Sequence, residues 1–379
     1  MTKCPHCFGT LPPHQLTFMC VSSCKPEPDV VGTRWHGAPV TWRPMLNATA
    51  QAAARGMTCQ RCQGPMRECC PRCHYHLPPA WRQGQATCVA LAGARATGKS
   101  IYIGVLVKQL ELLAEAMQTT IGFATATSRE IYERVYERPL YETRGIIAPT
   151  PRANLSDSYQ REPLILSLGP VRGVPRYLVL RDVAGEDLEN APDNQPHLGF
   201  FADASAVLFL FDPTQVSEVR DQLRDLIPAQ LHEGGDPALV LENLNRLIGP
   251  GQPRLGVVLS KFDTMQALRD VEGTQLSRIM SNSGAAFIRD SGLTLGPALN
   301  QVDADQLHAE VRSLLQRLGA GHIVTAVERP HSGRSLDHRF FVVSALGAPT
   351  DGQNLHDHGI ASFRVLDPIR WALQREGVL

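Results

Sequence analysis

A chain of 379 residues with 43% hydrophobic content can bury a sizeable core, in one large domain or two unequal ones. Basic and acidic residues balance at 37 each, which argues against a dominant nucleic-acid footprint. The balance is uneven, since residues 1–86 hold nine basic and three acidic side chains and the remainder is mildly acidic. No stretch approaches about 18 apolar residues and the N-terminus has no basic-then-apolar leader, so the cytoplasm is the expected location. Peripheral membrane association through a partner stays open.

Nine of the ten cysteines fall within the first 73 residues. Without a leader, their CxxC spacing favours metal over disulfides. Cys4-Pro5-His6-Cys7 is followed by Cys20 and Cys24, and Cys59-Gln60-Arg61-Cys62 by Cys69, Cys70 and Cys73. Cys70 is preferred over Cys69, because Cys70-Pro71-Arg72-Cys73 repeats the CPxC of the first knuckle. Each half then offers four thiolates, as a closed tetrahedral structural Zn2+ requires. The expectation is two zinc ions, one on Cys4, Cys7, Cys20 and Cys24 and one on Cys59, Cys62, Cys70 and Cys73. Pairing across the intervening segment is the alternative, with His6, His74 and His76 as competing ligands. Free or redox-active thiols are the plainer reading, and a catalytic metal is disfavoured because four cysteines leave no open position. The region has little apolar periodicity, so metal would have to supply its folding energy. Residues 25–50, with several prolines, Trp35 and Trp42, read as short strands and turns, and residues 77–86 read as a hinge. The domains expected are a zinc-binding module at 1–82 and a P-loop domain at 83–379.

The second region opens on a predicted strand at 87–92, followed by Gly93-Ala94-Arg95-Ala96-Thr97-Gly98-Lys99-Ser100 and a helix from Ile101 to about residue 117. Strand, GxxxxGKS loop and helix together make a phosphate-binding site. The glycines let the backbone curl around phosphate oxygens, and the helix start presents unpaired N–H groups. Lys99 would reach the outer phosphates, and Ser100 would offer a hydroxyl to Mg2+. A chance Gly-rich turn is the plainer reading of the loop. Further on, 119–126 is a strand candidate, a helix starts near Ser128, and 141–159 is a long loop. Strands at 164–168 and 177–180 form a hairpin that gives a parallel sheet one antiparallel edge.

The second hairpin strand runs into Arg181-Asp182-Val183-Ala184-Gly185-Glu186. A carboxylate just past a buried strand is placed to hold Mg2+, and Gly185 would bring a backbone N–H against the terminal phosphate. Later strands are expected at 204–211, 255–259 and 340–343, with helices near 215–231, 238–248, 303–318 and 367–376. Two of these strands end in Ser260-Lys261-Phe262-Asp263 and Ser344-Ala345-Leu346. Continuous apolar strands alternating with helices indicate a three-layer α/β fold around a mostly parallel sheet.

The ordered motifs GARATGKS, DVAG, SKFD and SAL resemble the Ras-like small GTPases and their translation-factor-type relatives, over roughly residues 86–379. The paired knuckles ahead of such a domain also resemble bacterial GTPase-like proteins of the double-GTPase-like group. The resemblance implies that Asp263 accepts from the guanine ring nitrogens, Lys261 packs along the base, and the backbone at Ser344, Ala345 and Leu346 meets the guanine oxygen. It implies GTP or GDP with Mg2+ as cofactor, contacted by the loop from Gly93 to Ile101. Ser260 stands where the family usually has Asn or Thr, and its hydroxyl is expected to brace the phosphate loop. Glu186 stands where relatives commonly carry a water-orienting glutamine, so hydrolysis is expected to be slow or partner-dependent. Thr150 is the preferred sensor of Mg2+ and γ-phosphate, ahead of Thr143, and Arg144 and Arg152 are candidate arginine fingers or plain surface charges.

The expected activity is a GTP-binding switch with Lys99, Gly185 and Glu186 at its catalytic end and a zinc module that recruits a protein partner or a second copy. The alternatives are a nucleotide-binding scaffold with little turnover, knuckles that touch nucleic acid, and ATP in place of GTP.

Overall fold

The computed structural model describes residues 2–53, 56–155, 159–190, 195–223, 235–270, 275–290, 296, 298–330, 333–350 and 354–378. The N-terminal part contains β1 (Leu16–Cys20), β2 (Glu27–Pro28), α1 (Val30–His36), β3 (Thr41–Trp42), β4 (Met45–Ala48), α2 (Ala50–Ala53) and β5 (Met66–Cys69). β1 lies between β4 and β5, antiparallel to both, and β2 pairs with β3. Helix α1 departs from the strands and turns expected over 25–50. Its ends carry the signals: Asp29 accepts from the Gly32 N–H, and Gly37 closes the helix at φ 73°.

In the larger region β6 (Gln85–Ala92) leads into α3 (Lys99–Ala116), then β7 (Gly122–Phe123) and α4 (Ala126–Ile131). Helix α4 is capped by Thr125 and continues as a π-helical segment, Tyr132–Glu142. The hairpin β8 (Leu164–Val171) and β9 (Val174–Arg181) precedes α5 (Gly185–Glu189), α6 (Phe200–Asp203), β10 (Ala206–Phe211), α7 (Ser217–Leu223) and α8 (Pro237–Ile248). Then come β11 (Arg254–Leu259), α9 (Phe262–Gln266), α10 (Gln275–Met280), α11 (Gln301–Arg317), α12 (Gly321–Glu328), β12 (His338–Val342) and α13 (Asp367–Arg375).

These strands form a seven-stranded sheet in the order β12-β11-β10-β6-β9-β8-β7. β12, β11, β10, β6 and β9 are parallel, and β8 runs antiparallel to β9. Every residue of β10 is buried, as expected for a strand covered on both faces. The architecture is therefore a mixed α/β fold with a largely parallel central sheet, preceded by a cysteine-clustered segment. The strand expected at 119–126 shrinks to two residues that pair with β8 as an outer edge. Helix α12 lies beyond the expected elements, and the part of the 215–231 helix beyond residue 223 lies outside the described residues.

Residues 77–86 are a weld rather than a hinge. Leu77 and Trp81 are buried, and the Trp81 ring stacks on Tyr177 of β9 at 4.6 Å. The Trp81 Nε1–H donates to the Lys3 carbonyl at 2.8 Å, tying the first residues to this segment. Burying an indole this fully contributes about 2–3 kcal/mol through apolar area alone.

Candidate nucleotide site and cysteine clusters

The parallel strands bring the carboxyl ends of β6, β9, β10, β11 and β12 to one edge, where ligands of open α/β sheets bind. After β6 the chain turns at Gly93, with φ 147°. A Cβ there would stand 2.1 Å from the Leu210 carbonyl oxygen, so only glycine fits. Gly98 (φ 82°) closes the loop onto α3. The buried Lys99 ammonium donates to the Gly93 and Ala94 carbonyls at 2.7 and 2.8 Å. Burial lowers the Lys99 pKa to about 8, against the upward pull of Asp182 and Glu189.

Ser100, Thr150 and Asp182 converge. The Ser100 and Thr150 hydroxyls are 2.8 Å apart and donate to Asp182 Oδ2 at 2.8 and 2.9 Å. Asp182 Oδ1 is buried with no hydrogen-bond partner among the described residues. Burial pushes the Asp182 carboxyl up, while Lys99 and the two hydroxyls hold it down. Two hydroxyls, a carboxylate and an orphaned lone pair fit a hard divalent cation such as Mg2+. Thr143 is elsewhere, donating to the Pro139 carbonyl at 3.0 Å. Gly185 lies against the phosphate loop, where a Cβ would be 2.3 Å from the Arg95 nitrogen.

Glu186 is pinned by Arg152 and approached by Arg95 at 3.9 Å. Arg152 thus pairs within the chain, and Arg144 donates to the Asp357 carbonyl at 2.9 Å. Glu189 and Gln160 join the site without a motif of their own. Glu189 accepts from the Arg95 backbone N–H at 2.8 Å and from its guanidinium at 2.9 Å, setting an internal anion on a phosphate-loop amide. Gln160 accepts from the Ala184 N–H and donates to Asp187, both at 2.9 Å. Only the folded chain brings these residues together, so no local motif announces them.

At the other end of the edge, Ser344 donates to Asp263 Oδ1 and accepts from the Gly347 N–H at 2.9 Å. Burial raises the Asp263 pKa, and Ser344 opposes the shift. Lys261, at φ 50°, places its ammonium 3.2 Å from Asp212. Ala345 and Leu346 are half-buried beside Ser344. Ser260 departs from expectation. Its N–H donates to the Phe211 carbonyl at 2.9 Å, but its hydroxyl has no partner among the described residues and does not brace the phosphate loop.

The cysteines form two clusters, and neither is the expected set. Cys4, Cys7, Cys70 and Cys73 come together, as do Cys20, Cys24, Cys59 and Cys62. The register explains the interleaving: antiparallel pairing sets Cys20 opposite Met66 and Thr17 opposite Cys69, so the start of β1 meets the end of β5. Sulfurs stand 3.6 Å apart in Cys4–Cys73, Cys20–Cys62 and Cys24–Cys59, and 3.8 Å in Cys7–Cys70. A tetrahedron with Zn–S bonds of about 2.3 Å has edges of about 3.8 Å, so both clusters fit that ion. Amide N–H groups of His6, Ser22 and Arg72 point at Cys4, Cys20 and Cys70, each at 3.4 Å. Burial pushes the Cys4 thiol up, while the hydrogen bonds of its neighbours pull Cys70 down. The competing histidines lie outside both clusters: His6 stacks on His36 at 4.0 Å and His74 meets Asp29 at 2.7 Å. Cys69 is also outside, its buried thiol pushed up to about 12.

Among the described residues no helix is long and apolar enough to cross a membrane. A family model described as Double-GTPase 2 matches residues 87–318. The "Putative ESX-1 scaffolding and assembly protein SaeC" of Mycolicibacterium smegmatis is 49% identical over 387 residues, covering 100% of both chains. Two structures of the S. cerevisiae Ski7 GTPase-like domain, with GDP and phosphate or with GTP, align at 10% and 12% identity. Their TM-scores are 0.32 and 0.33, and each alignment covers 77% of this chain but 50% of the Ski7 chain, so the family assignment rests on the first two matches. With a GTPase-family match over more than half its length and a relative aligned end to end, this chain belongs to the Double-GTPase 2 family.

Proposed function

We propose that the chain is a guanine-nucleotide-binding scaffold with little turnover, which holds GTP or GDP with Mg2+ and presents its surfaces to protein partners according to the nucleotide held. The observation that carries this reading is the Arg152–Glu186 ion pair. It fastens the loop of Thr150 to the segment after Asp182 and leaves a carboxylate where Ras-like relatives commonly orient water with glutamine. A carboxylate beside phosphate oxygens raises the cost of gathering negative charge there. The full-length relative named as an ESX-1 scaffolding and assembly protein supports the same role, with components of a multi-protein assembly as partners.

The site residues then divide the work. Lys99 would neutralise the outer phosphates, Ser100, Thr150 and Asp182 would hold Mg2+, and Asp263, steadied by Ser344, would read guanine. A carboxylate suits guanine because adenine lacks the adjacent N1–H and N2 donors. Bound Mg2+ would supply positive charge at the phosphate oxygens. Thr150 beside Ser100 also supports a hydrolysing switch, which makes turnover the deciding measurement. Phosphate release from excess GTP is expected to differ less than about twofold between wild type and Lys99→Ala. A Lys99-dependent release over many turnovers would make the chain an ordinary GTPase instead.

A further inference from the structure

Arg181 is neither a cysteine ligand nor a nucleotide-site residue, yet it touches both neighbourhoods. It is the last residue of β9 and immediately precedes Asp182. Its buried guanidinium donates through Nη1 to the His6 carbonyl at 2.7 Å, inside the Cys4–Cys7 knuckle. Through Nη2 it donates to the Gln160 carbonyl at 3.2 Å, and its Cζ lies 4.0 Å from the Phe200 ring centroid.

Gln160 carries the connection onward. Its side chain bonds the Ala184 N–H and the Asp187 carboxylate, and Asp187 also accepts from the Ala153 N–H at 3.2 Å. One polar path therefore joins the first knuckle to the segment after Asp182 and to the loop that carries Thr150. Electrostatics point the same way. Zn2+ on four thiolates leaves a net charge of about −2, and Arg181 is a cation whose burial lowers its pKa to about 10, against the upward pull of Cys73, Cys7, Glu162 and Cys4. The outer cluster is held differently: Arg43 donates to the Cys24 carbonyl at 3.0 Å, a contact within the module.

We propose that Arg181 is a positioning residue that couples the inner cysteine cluster to the nucleotide site, so that metal on Cys4, Cys7, Cys70 and Cys73 and bound guanine nucleotide each tighten the other's hold. The coupling rests on the nucleotide-binding reading above. Linkage makes it reciprocal: whatever factor metal adds to nucleotide affinity, nucleotide adds to metal affinity.

The test uses the full zinc-loaded chain and a chromogenic zinc chelator, with and without saturating GDP and Mg2+. GDP is expected to slow one of the two zinc-release phases about tenfold and leave the other unchanged. Cys62→Ser should remove the unprotected phase, which assigns the protected one to the inner cluster. Arg181→Met should abolish the protection, and Arg181→Lys should restore part of it. If calorimetry shows GDP bound while neither phase slows, or both slow alike, the coupling is wrong and the nucleotide reading stands. A wild-type chain that binds no GDP overturns both. The wild-type comparison decides the matter even if Arg181→Met fails to fold.

Discussion

The two four-cysteine clusters are alike in chemistry and unlike in setting. All four inner cysteines are buried and belong to the same apolar core as β6 and β10, together with Phe8, Leu11, Leu77 and Trp81. The outer cluster contributes nothing to that core, and Cys24 and Cys62 are part-exposed. β1 links the two, with Cys20 of the outer cluster at one end and Thr17 opposite Cys69, next to Cys70, near the other. A metal at the inner position would anchor the module to the GTPase-family domain, whereas one at the outer position would fold only the tip. Identical ligand chemistry therefore carries different structural weight according to what surrounds it.

The sharpest way to break this contrast is Cys70→Ser. It should remove one zinc ion per chain and lower the melting temperature of the whole chain by about 10 °C, since a structural metal supplies several kcal/mol of folding energy. An unchanged melting curve with one zinc missing would erase the distinction. Trp81→Ala attacks the same weld without touching a ligand. It should cost about 3–5 kcal/mol in denaturant unfolding while both zinc ions stay bound.

The nucleotide site adds a pH signature unrelated to either cluster. Folded Lys99 titrates near 8, below its ordinary 10.5, so between those values the unfolded chain binds more protons. Stability should therefore rise across that window in wild type relative to Lys99→Met, as read by urea unfolding. Cys62→Ser should also lose one zinc, but its melting temperature should move by no more than about 2 °C and its nucleotide affinity should hold. Smallest of all is Glu186→Gln, which removes an exposed pair and should change stability by less than about 1 kcal/mol. A larger loss would mean that the loop clasp supports the fold itself.

Much of the fold was legible because its signals are local. GARATGKS between an apolar strand and a helix, and DVAG after another strand, needed only spacing to read. Thr150 stands in an irregular loop, and the structure sets its hydroxyl beside Ser100 and Asp182. The cysteine pairing was illegible for a physical reason: CxxC spacing fixes each knuckle, while the antiparallel register of β1 and β5 decides which knuckles meet. Trp81, in a Pro- and Gln-rich stretch, reads as part of a hinge because its partner Tyr177 lies about a hundred residues on. Arg181, Gln160 and Glu189 share that difficulty, since each acts through contacts distant in sequence. Ser260 shows the converse error, in which a motif position was filled and the expected contact was not made.

The proposed role of the edge bounded by Lys99, Asp182 and Asp263 is to select guanine nucleotide. Titration calorimetry of the zinc-loaded chain with GDP and ADP in Mg2+ tests it most directly. GDP is expected to bind at least about a hundredfold tighter than ADP, with that preference lost in Asp263→Ala. Equal binding of the two, or a preference that survives Asp263→Ala, would contradict it.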